Sequence, residues 1–466
     1  MKNEANLGSE SVGKLLFKLS LPAIVAQLIN VMYNMVDRMY IGHIPNVGAS
    51  ALTGVGVTMP VIMAISAFAA LVSMGGAPRS SIMMGKNDKQ HAEQILGNCT
   101  ILLFALALIL TIVFMLYGKS ILMLFGASDT TIGFAWDYMR IYTLGTLFVQ
   151  ISLGLNAFIT SQGYAKTSMM TVLIGACCNI ILDPIFIFGM FGMPKMEVAG
   201  AAWATILSQA VSSIWVLKFL FSEKSFLRIK PKYFKLSARV VLPCLALGLS
   251  PFIMQFTESV ISVCFNTSLL KYGGDIAVGA MTILTSVMQF SMLPLQGLTQ
   301  GAQPIISFNY GAGNADRVKK AFKLLLVSCL VYSTALWAIA IFLPQVFIGI
   351  FTNDAQLMVF SEKAMRVYMA VSLMFGAQIA CQQTFIALGN AKASIFLALL
   401  RKVLLLIPLI FVLPMFMSDQ TMAVFMAEPI ADFIAVSVTV TMFTISFRKL
   451  INKMNQPIKE QLDPAC

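Results

Sequence analysis

Pro78-Arg79-Ser80-Ser81-Ile82-Met83-Met84-Gly85-Lys86-Asn87-Asp88 has a counterpart further along the chain, Pro304-Ile305-Ile306-Ser307-Phe308-Asn309-Tyr310-Gly311-Ala312-Gly313-Asn314-Ala315-Asp316. The leading prolines lie 226 residues apart, and so do Gly85 and Gly311. The same offset aligns Phe125 with Phe351, Arg140 with Arg366, Tyr142 with Tyr368, Gly163 with Gly389 and Lys166 with Lys392. Two similar halves, each filled with apolar segments, imply one helical bundle built twice around a shared interior, as in many transporters.

The solvent of this surface is lipid. The 466 residues are 58% hydrophobic and only 11% charged, and mean hydropathy is +0.83. Soluble domains carry about 25% charged residues. A net charge of +12 would suit nucleic acid, but the basic residues form no face interleaved with aromatics. They sit in short loops between apolar runs, where lipid headgroups and membrane orientation explain them, so no nucleic-acid partner is expected. The eight cysteines lack metal-ligand spacing, and all but Cys466 fall in apolar runs, as expected for buried free thiols. The polar start through Ser11, followed by an apolar run too long for a signal-peptide core, reads as a first span rather than a cleaved leader.

A helix needs about 20 apolar residues to cross a bilayer. Spans are expected near 15–39, 51–77, 93–117, 132–157, 166–189, 198–221, 238–267, 276–302, 320–343, 358–383, 393–415 and 421–446. The runs are continuous rather than alternating, which disfavours a strand barrel. The fold class is therefore an all-α polytopic membrane protein, with twelve transmembrane helices in two pseudo-symmetric six-helix bundles. The N-terminal lobe is 1–225, a basic linker is 226–240, and the C-terminal lobe is 241–466. Lys14, Lys18, Arg79, Lys86, Lys89, Lys166, Arg317, Lys319, Lys320, Lys392, Arg448, Lys449 and Lys453 share one side with the linker. Lys119, Lys195 and Lys271 are nearly alone on the other. The positive-inside rule then puts both termini in the cytoplasm of a plasma-type membrane. Pro22, Pro60, Pro184, Pro243, Pro251, Pro294 and Pro408 are expected to bend their helices.

Ionisable groups at bilayer depth cost about 2.5–3.5 kcal/mol on insertion scales and mark function. Asp37 ends the first span, with Asn30 and Asn34 on the same helix face. Asp183 follows Asn179 by four residues and precedes Pro184, which frees nearby carbonyls. The 226 offset takes Asp183 to Leu409, so this acid belongs to one half only. Glu258 lies mid-span with Gln255 and Ser262 beside it. Asn156, Tyr138, Gln162 and Thr205 are further oxygens for a first-half cavity. Each of these residues also has a structural reading, as a cap, a core hydrogen bond or a pair to a neighbouring base. Arg401 and Lys402 are expected to snorkel toward the interface rather than pair. Abundant Met, 31 residues, suits a cavity that accepts varied shapes.

Four segments carry a family likeness: Met35-Val36-Asp37-Arg38-Met39-Tyr40-Ile41-Gly42, Asn179-Ile180-Ile181-Leu182-Asp183-Pro184, Gly200-Ala201-Ala202-Trp203-Ala204-Thr205, and Gly301-Ala302-Gln303-Pro304 with Asn309-Tyr310-Gly311-Ala312. In this order the chain resembles the MATE family of multidrug and toxic-compound extrusion transporters, most closely its MepA-like members. The resemblance implies export of lipophilic organic cations (drugs, dyes, antiseptics) in exchange for protons or sodium ions. It implies a first-lobe cation site at Asp37 and Asp183, with Asn179, Asn156, Tyr138 and Thr205 around it. Sodium would sit at Asp37, Asp183 and Asn179. Glu258 matches the seventh-span acid that some members use in the second lobe. The tenth span, Ala377-Gln378-Ile379-Ala380-Cys381-Gln382-Gln383, lacks the acid of other branches, so coupling is expected through the first lobe. No cofactor is implied, and the expected state is a monomer among membrane lipids. A lipid or lipid-linked-saccharide flippase of related fold is the alternative, disfavoured by acids rather than bases at depth. An intramembrane enzyme lacks a nucleophile–base pair or metal set in the spans.

Overall fold

The computed structural model describes residues 6–352 and 354–456. Both termini, expected on one side of the membrane, and Cys466 lie outside the described residues. No strand occurs among the described residues. Helix α1 is Val12–Gly42, α2 Gly48–Gly85 and α3 Lys89–Leu124. Helix α4 is a bent pair, Ile132–Leu144 and Thr146–Ser161, turning by 59°. Helices α5 and α6 are Ala165–Phe188 and Glu197–Phe221. The run Ala238–Gly311 would be about 110 Å long if straight, several times a bilayer core. Gly274 breaks it at φ 63°, ψ −160°, a conformation that glycine adopts without a Cβ penalty. The parts on either side are α7 (238–273) and α8 (274–311). Helix α9 is Ala315–Phe342, α10 the pair Ala355–Tyr368 and Ser372–Ala387 bent by 48°, α11 Ala391–Met415 and α12 Gln420–Asn455. Twelve crossings result among the described residues, in two bundles.

Element boundaries keep the 226-residue spacing. Gly48 opens α2 and Gly274 opens α8; Gly85 and Gly311 close them. Thr146 and Ser372 resume α4 and α10 after their bends. The quoted proline motifs therefore lie on the last turns of α2 and α8, not in loops. The two bends above 40° fall at Gly145 and at Met369–Val371, where there is no proline, whereas Pro22, Pro60 and Pro184 sit inside continuous helices. The starts of α3 and α12 are capped by short acids that accept from orphan amides: Asp88 from His91 N (2.9 Å) and Asp419 from Met422 N (3.0 Å).

Packing divides the chain into two compact units. One contains Leu21–Gln255; the other contains Asn6–Ser20 and the chain from Phe256 onward. The first turns of α7, beyond the linker expected at 226–240, thus belong to the first unit, and the first turns of α1 to the second. The first unit's core includes Ile65, Tyr138, Val149, Ile187 and Ile206. The second unit's core includes Phe265, Leu284, Met365, Ile410 and Phe425. Cys99, Cys244, Cys329 and Cys381 are buried as expected, but Cys177 is exposed.

Each unit admits its exchanged segment at a glycine. In the first, a Cβ on Gly75 would fall on the carbonyl oxygen of Cys244, and one on Gly248 on that of Leu71. In the second, a Cβ on Gly301, which is 226 residues after Gly75, would fall on Ser20. Small residues let helix backbones touch in this way. Gly75→Leu is expected to abolish the monodisperse peak of detergent-purified protein. Gly56→Ala, with nothing within 4 Å of the added carbon, is expected to keep it.

The basic linker is pinned to the first unit. Gln162 Oε1 accepts from Leu227 N (2.8 Å) and Ser225 Oγ (3.1 Å). Lys230 Nζ meets Glu93 Oε2 at 2.5 Å, and Asn98 Oδ1 accepts from Ser237 N at 2.8 Å. Gln162, expected to face a cavity, instead serves this anchor because its amide is the partner the linker's turn requires.

Candidate functional site

The first unit gathers its acids from α1 and α5. Asp37 is 7% exposed and Asp183 0%. On α5, the four-residue spacing puts Asn179 one turn from Asp183, and its Nδ2 donates to Asp183 Oδ1 at 3.1 Å. Asp37 and Asp183 interact electrostatically, and Tyr33 lies in range of both. Three buried oxygens have no hydrogen-bond partner: Asp37 Oδ1, Asp183 Oδ2 and Asn179 Oδ1. Unsatisfied buried acceptors are rare and costly. Arg38 does not answer them; it is exposed, with Nη2 at 3.4 Å from Met59 Sδ.

Aromatic and hydroxyl groups of α4 and α6 close this site. Tyr138 is buried, stacks on Tyr142 with ring centroids 6.1 Å apart, and interacts with Asp37 and with the Thr205 hydroxyl. Thr205 also donates to Ala201 O at 3.0 Å. Asn156 is occupied elsewhere. Its Nδ2 donates to Ser168 O at 3.2 Å and its Oδ1 accepts from Thr171 at 3.0 Å, tying α4 to α5. Asn30 and Asn34, expected on the Asp37 face, are exposed, and Asn34 donates back to Asn30 O. Thus Asp37, Asp183, Asn179, Tyr138 and Thr205 come together, while Asn156 braces the helices beside them.

The second unit holds a different cluster. Arg401 Nε lies 2.5 Å from Asp432 Oδ1 and Nη2 lies 3.3 Å from Glu428 Oε1. Lys402 Nζ lies 2.7 Å from Glu258 Oε1. Arg401 sits over the Phe375 ring at 5.4 Å, and buried Tyr368 interacts with all three acids. Arg401 and Lys402 therefore do not snorkel; they turn inward because carboxylates await them. Both lie in a π-helical stretch, Leu400–Leu406, that ends beside Pro408. Proline cannot donate to the preceding turn, and such wide turns are frequent at functional sites. Gln255, the neighbour expected for Glu258, is exposed and falls in the last turn of the first unit.

Glu428 and Asp432 are not among the acids the sequence singles out. Two acids four apart inside the apolar 421–446 run meet the same depth criterion that selects Asp183, so the signal was present. Among the described residues no group of three or more His, Cys, Asp or Glu has the arrangement of a metal site.

A MatE family model matches residues 22–185 and again 251–412. The multidrug export protein MepA of Staphylococcus haemolyticus is 25% identical over 427 residues, 91% of this chain and 92% of that one. A protein of Shewanella oneidensis named FAD transporter is 27% identical over 418 residues, 88% and 90% of the two chains. A solved structure of the MATE multidrug transporter DinF-BH superimposes with a TM-score of 0.87 at 30% identity, covering 97% of this chain and 99% of that one.

Proposed function

Matched in both of its halves, the chain belongs to the MatE family, and from that premise we propose that it exports lipophilic organic cations in exchange for protons or sodium ions. As a member it is a multi-pass membrane transporter. The observation that supports cation exchange is the set of unpartnered buried oxygens on Asp37, Asp183 and Asn179. Oxygens without protein donors suit a proton on a carboxyl, a hard monovalent cation, or the positive head of a drug.

The three ligands exclude one another for an elementary reason. A carboxylate attracts a lipophilic cation strongly where water is scarce. A proton or sodium ion on that carboxylate cancels the attraction. If the inward ion and the outward drug prefer different arrangements of the helices, the two movements are coupled. Moving such an equilibrium from 1:99 to 99:1 takes about 5.5 kcal/mol of differential binding. Tyr138 and Tyr142 stack on each other, and both rings are buried, so they add apolar packing beside the acids.

An anionic cargo, as the name of the Shewanella relative implies for that protein, would need surplus positive charge. Arg401 and Lys402 are the deep bases of the second unit, and Glu258, Glu428 and Asp432 outnumber them. The same charge count opposes a flippase for lipid pyrophosphates.

The direct test is ethidium efflux from proteoliposomes under an imposed pH gradient, then under an imposed sodium gradient. At least one gradient is expected to accelerate efflux well above the passive leak. Equal rates with and without either gradient would end the antiport reading.

A further inference from the structure

The repeat places no acid opposite Glu258 and no base opposite Lys402: their first-unit equivalents at the 226 offset are Met32 and Ala176. The second unit thus has a carboxylate and an ammonium that the first lacks, and the two meet at 2.7 Å. Their settings differ. The Glu258 side chain is 55% exposed, whereas that of Lys402 is 7% exposed. A charged group at this depth faces a bundle interior or a water-filled cavity rather than lipid. Glu258 is therefore the member of the cluster that a mobile cation reaches without disturbing the core.

We propose that Lys402 is a tethered counter-cation, whose buried ammonium holds Glu258 closed to mobile cations and confines cation exchange to the first unit. The proposal rests on the antiport reading for what the first unit does.

Three features carry it. The contact is a charge-assisted hydrogen bond of ordinary strong geometry. The ammonium is fixed to the same unit, so it competes at an effective concentration above the roughly millimolar range of flexible tethers. Displacing it would part a buried ammonium from the carboxylate it hydrogen-bonds, which the interior penalises. Arg401 cannot take its place, because Asp432 and Glu428 already hold that guanidinium. The groups around the pair are Arg401, Glu428, Asp432 and Tyr368. Three carboxylates face two bases; without Lys402 they would face one, and a cation would be drawn in. In the first unit, by contrast, Asp37 Oδ1 and Asp183 Oδ2 have no partner at all.

The test is binding stoichiometry on the full chain in detergent, by calorimetric titration with tetraphenylphosphonium. The unaltered protein is expected to bind one equivalent, lost in Asp183→Asn. Lys402→Gln is expected to bind two. The double variant Lys402→Gln/Glu258→Gln is expected to return to one, and Lys402→Arg to remain at one. A monodisperse Lys402→Gln protein that binds no additional equivalent overturns the proposal. Should the unaltered protein bind none, the antiport reading fails, and a Glu258-dependent equivalent in Lys402→Gln still decides this one. A second measurement needs no variant. Treating the unaltered protein with a hydrophobic carbodiimide is expected to join Glu258 to Lys402 as an amide, the reagent taking up the water as its urea. A free acylurea on Glu258, with Lys402 unmodified, overturns the pairing.

Discussion

Asp183→Asn is expected to reduce gradient-driven ethidium efflux from proteoliposomes to the leak of protein-free vesicles. The side chain is almost isosteric, and an amide can keep a contact with Asn179, whose Nδ2 now lies 3.1 Å from Asp183 Oδ1. Size and packing are therefore preserved at a position with 0% exposure. What disappears is the ability to be negative in one state and neutral in the next. Asparagine binds no exchangeable proton and offers a drug cation only a dipole. Ion binding and drug binding then no longer oppose each other, and the roughly 5.5 kcal/mol of differential affinity that a full switch requires loses its source. The variant is expected to insert and purify like the unaltered protein. Efflux at the unaltered rate would remove Asp183 from the coupling.

A large expected effect on stability also lies in the other unit. Arg401→Met leaves Asp432 and Glu428, at 2% and 4% exposure, without the guanidinium that joins them. Removing one partner of a buried ion pair costs about 3–5 kcal/mol, because the surviving charge remains out of water. The melting temperature in detergent, followed by intrinsic fluorescence, is expected to fall sharply. Changing the acids as well, with Glu428→Gln and Asp432→Asn, is expected to recover most of the loss, since replacing a whole buried charge group is often close to neutral. An Arg401→Met protein as stable as the parent would show that the cluster is hydrated and carries little of the unit's stability.

How far the chain can be read without coordinates depends on whether information is local. The 226-residue spacing locates Gly274 and Gly311 once Gly48 and Gly85 are known, so the second bundle follows from the first. Asn179 and Asp183 announce themselves because four residues on a helix make neighbours. Arg401 is different. Its partners lie 27 and 31 residues away on α12, and nothing along the chain says which way a base inside an apolar helix will turn. Local rules favour the interface; the acids opposite reverse that choice. Gln162 is a similar case, since an amide at the end of an apolar run looks the same whether it lines a cavity or holds a linker. No proline flags the bends at Gly145 and Met369–Val371; proline marks other positions in the spans.

The exchange of opening segments has a consequence for biogenesis. A ribosome that has just finished Ser237 has not yet supplied the turns around Cys244 and Gly248 that cover Gly75. The first bundle must wait in the bilayer with that glycine face bare until the next span is threaded. Residues 6–20, made before that bundle, must wait longer still for Gly301. A gene cut within the linker would therefore encode two fragments that each lack a piece carried by the other, and both would have to be translated in the same cell before either bundle could be completed.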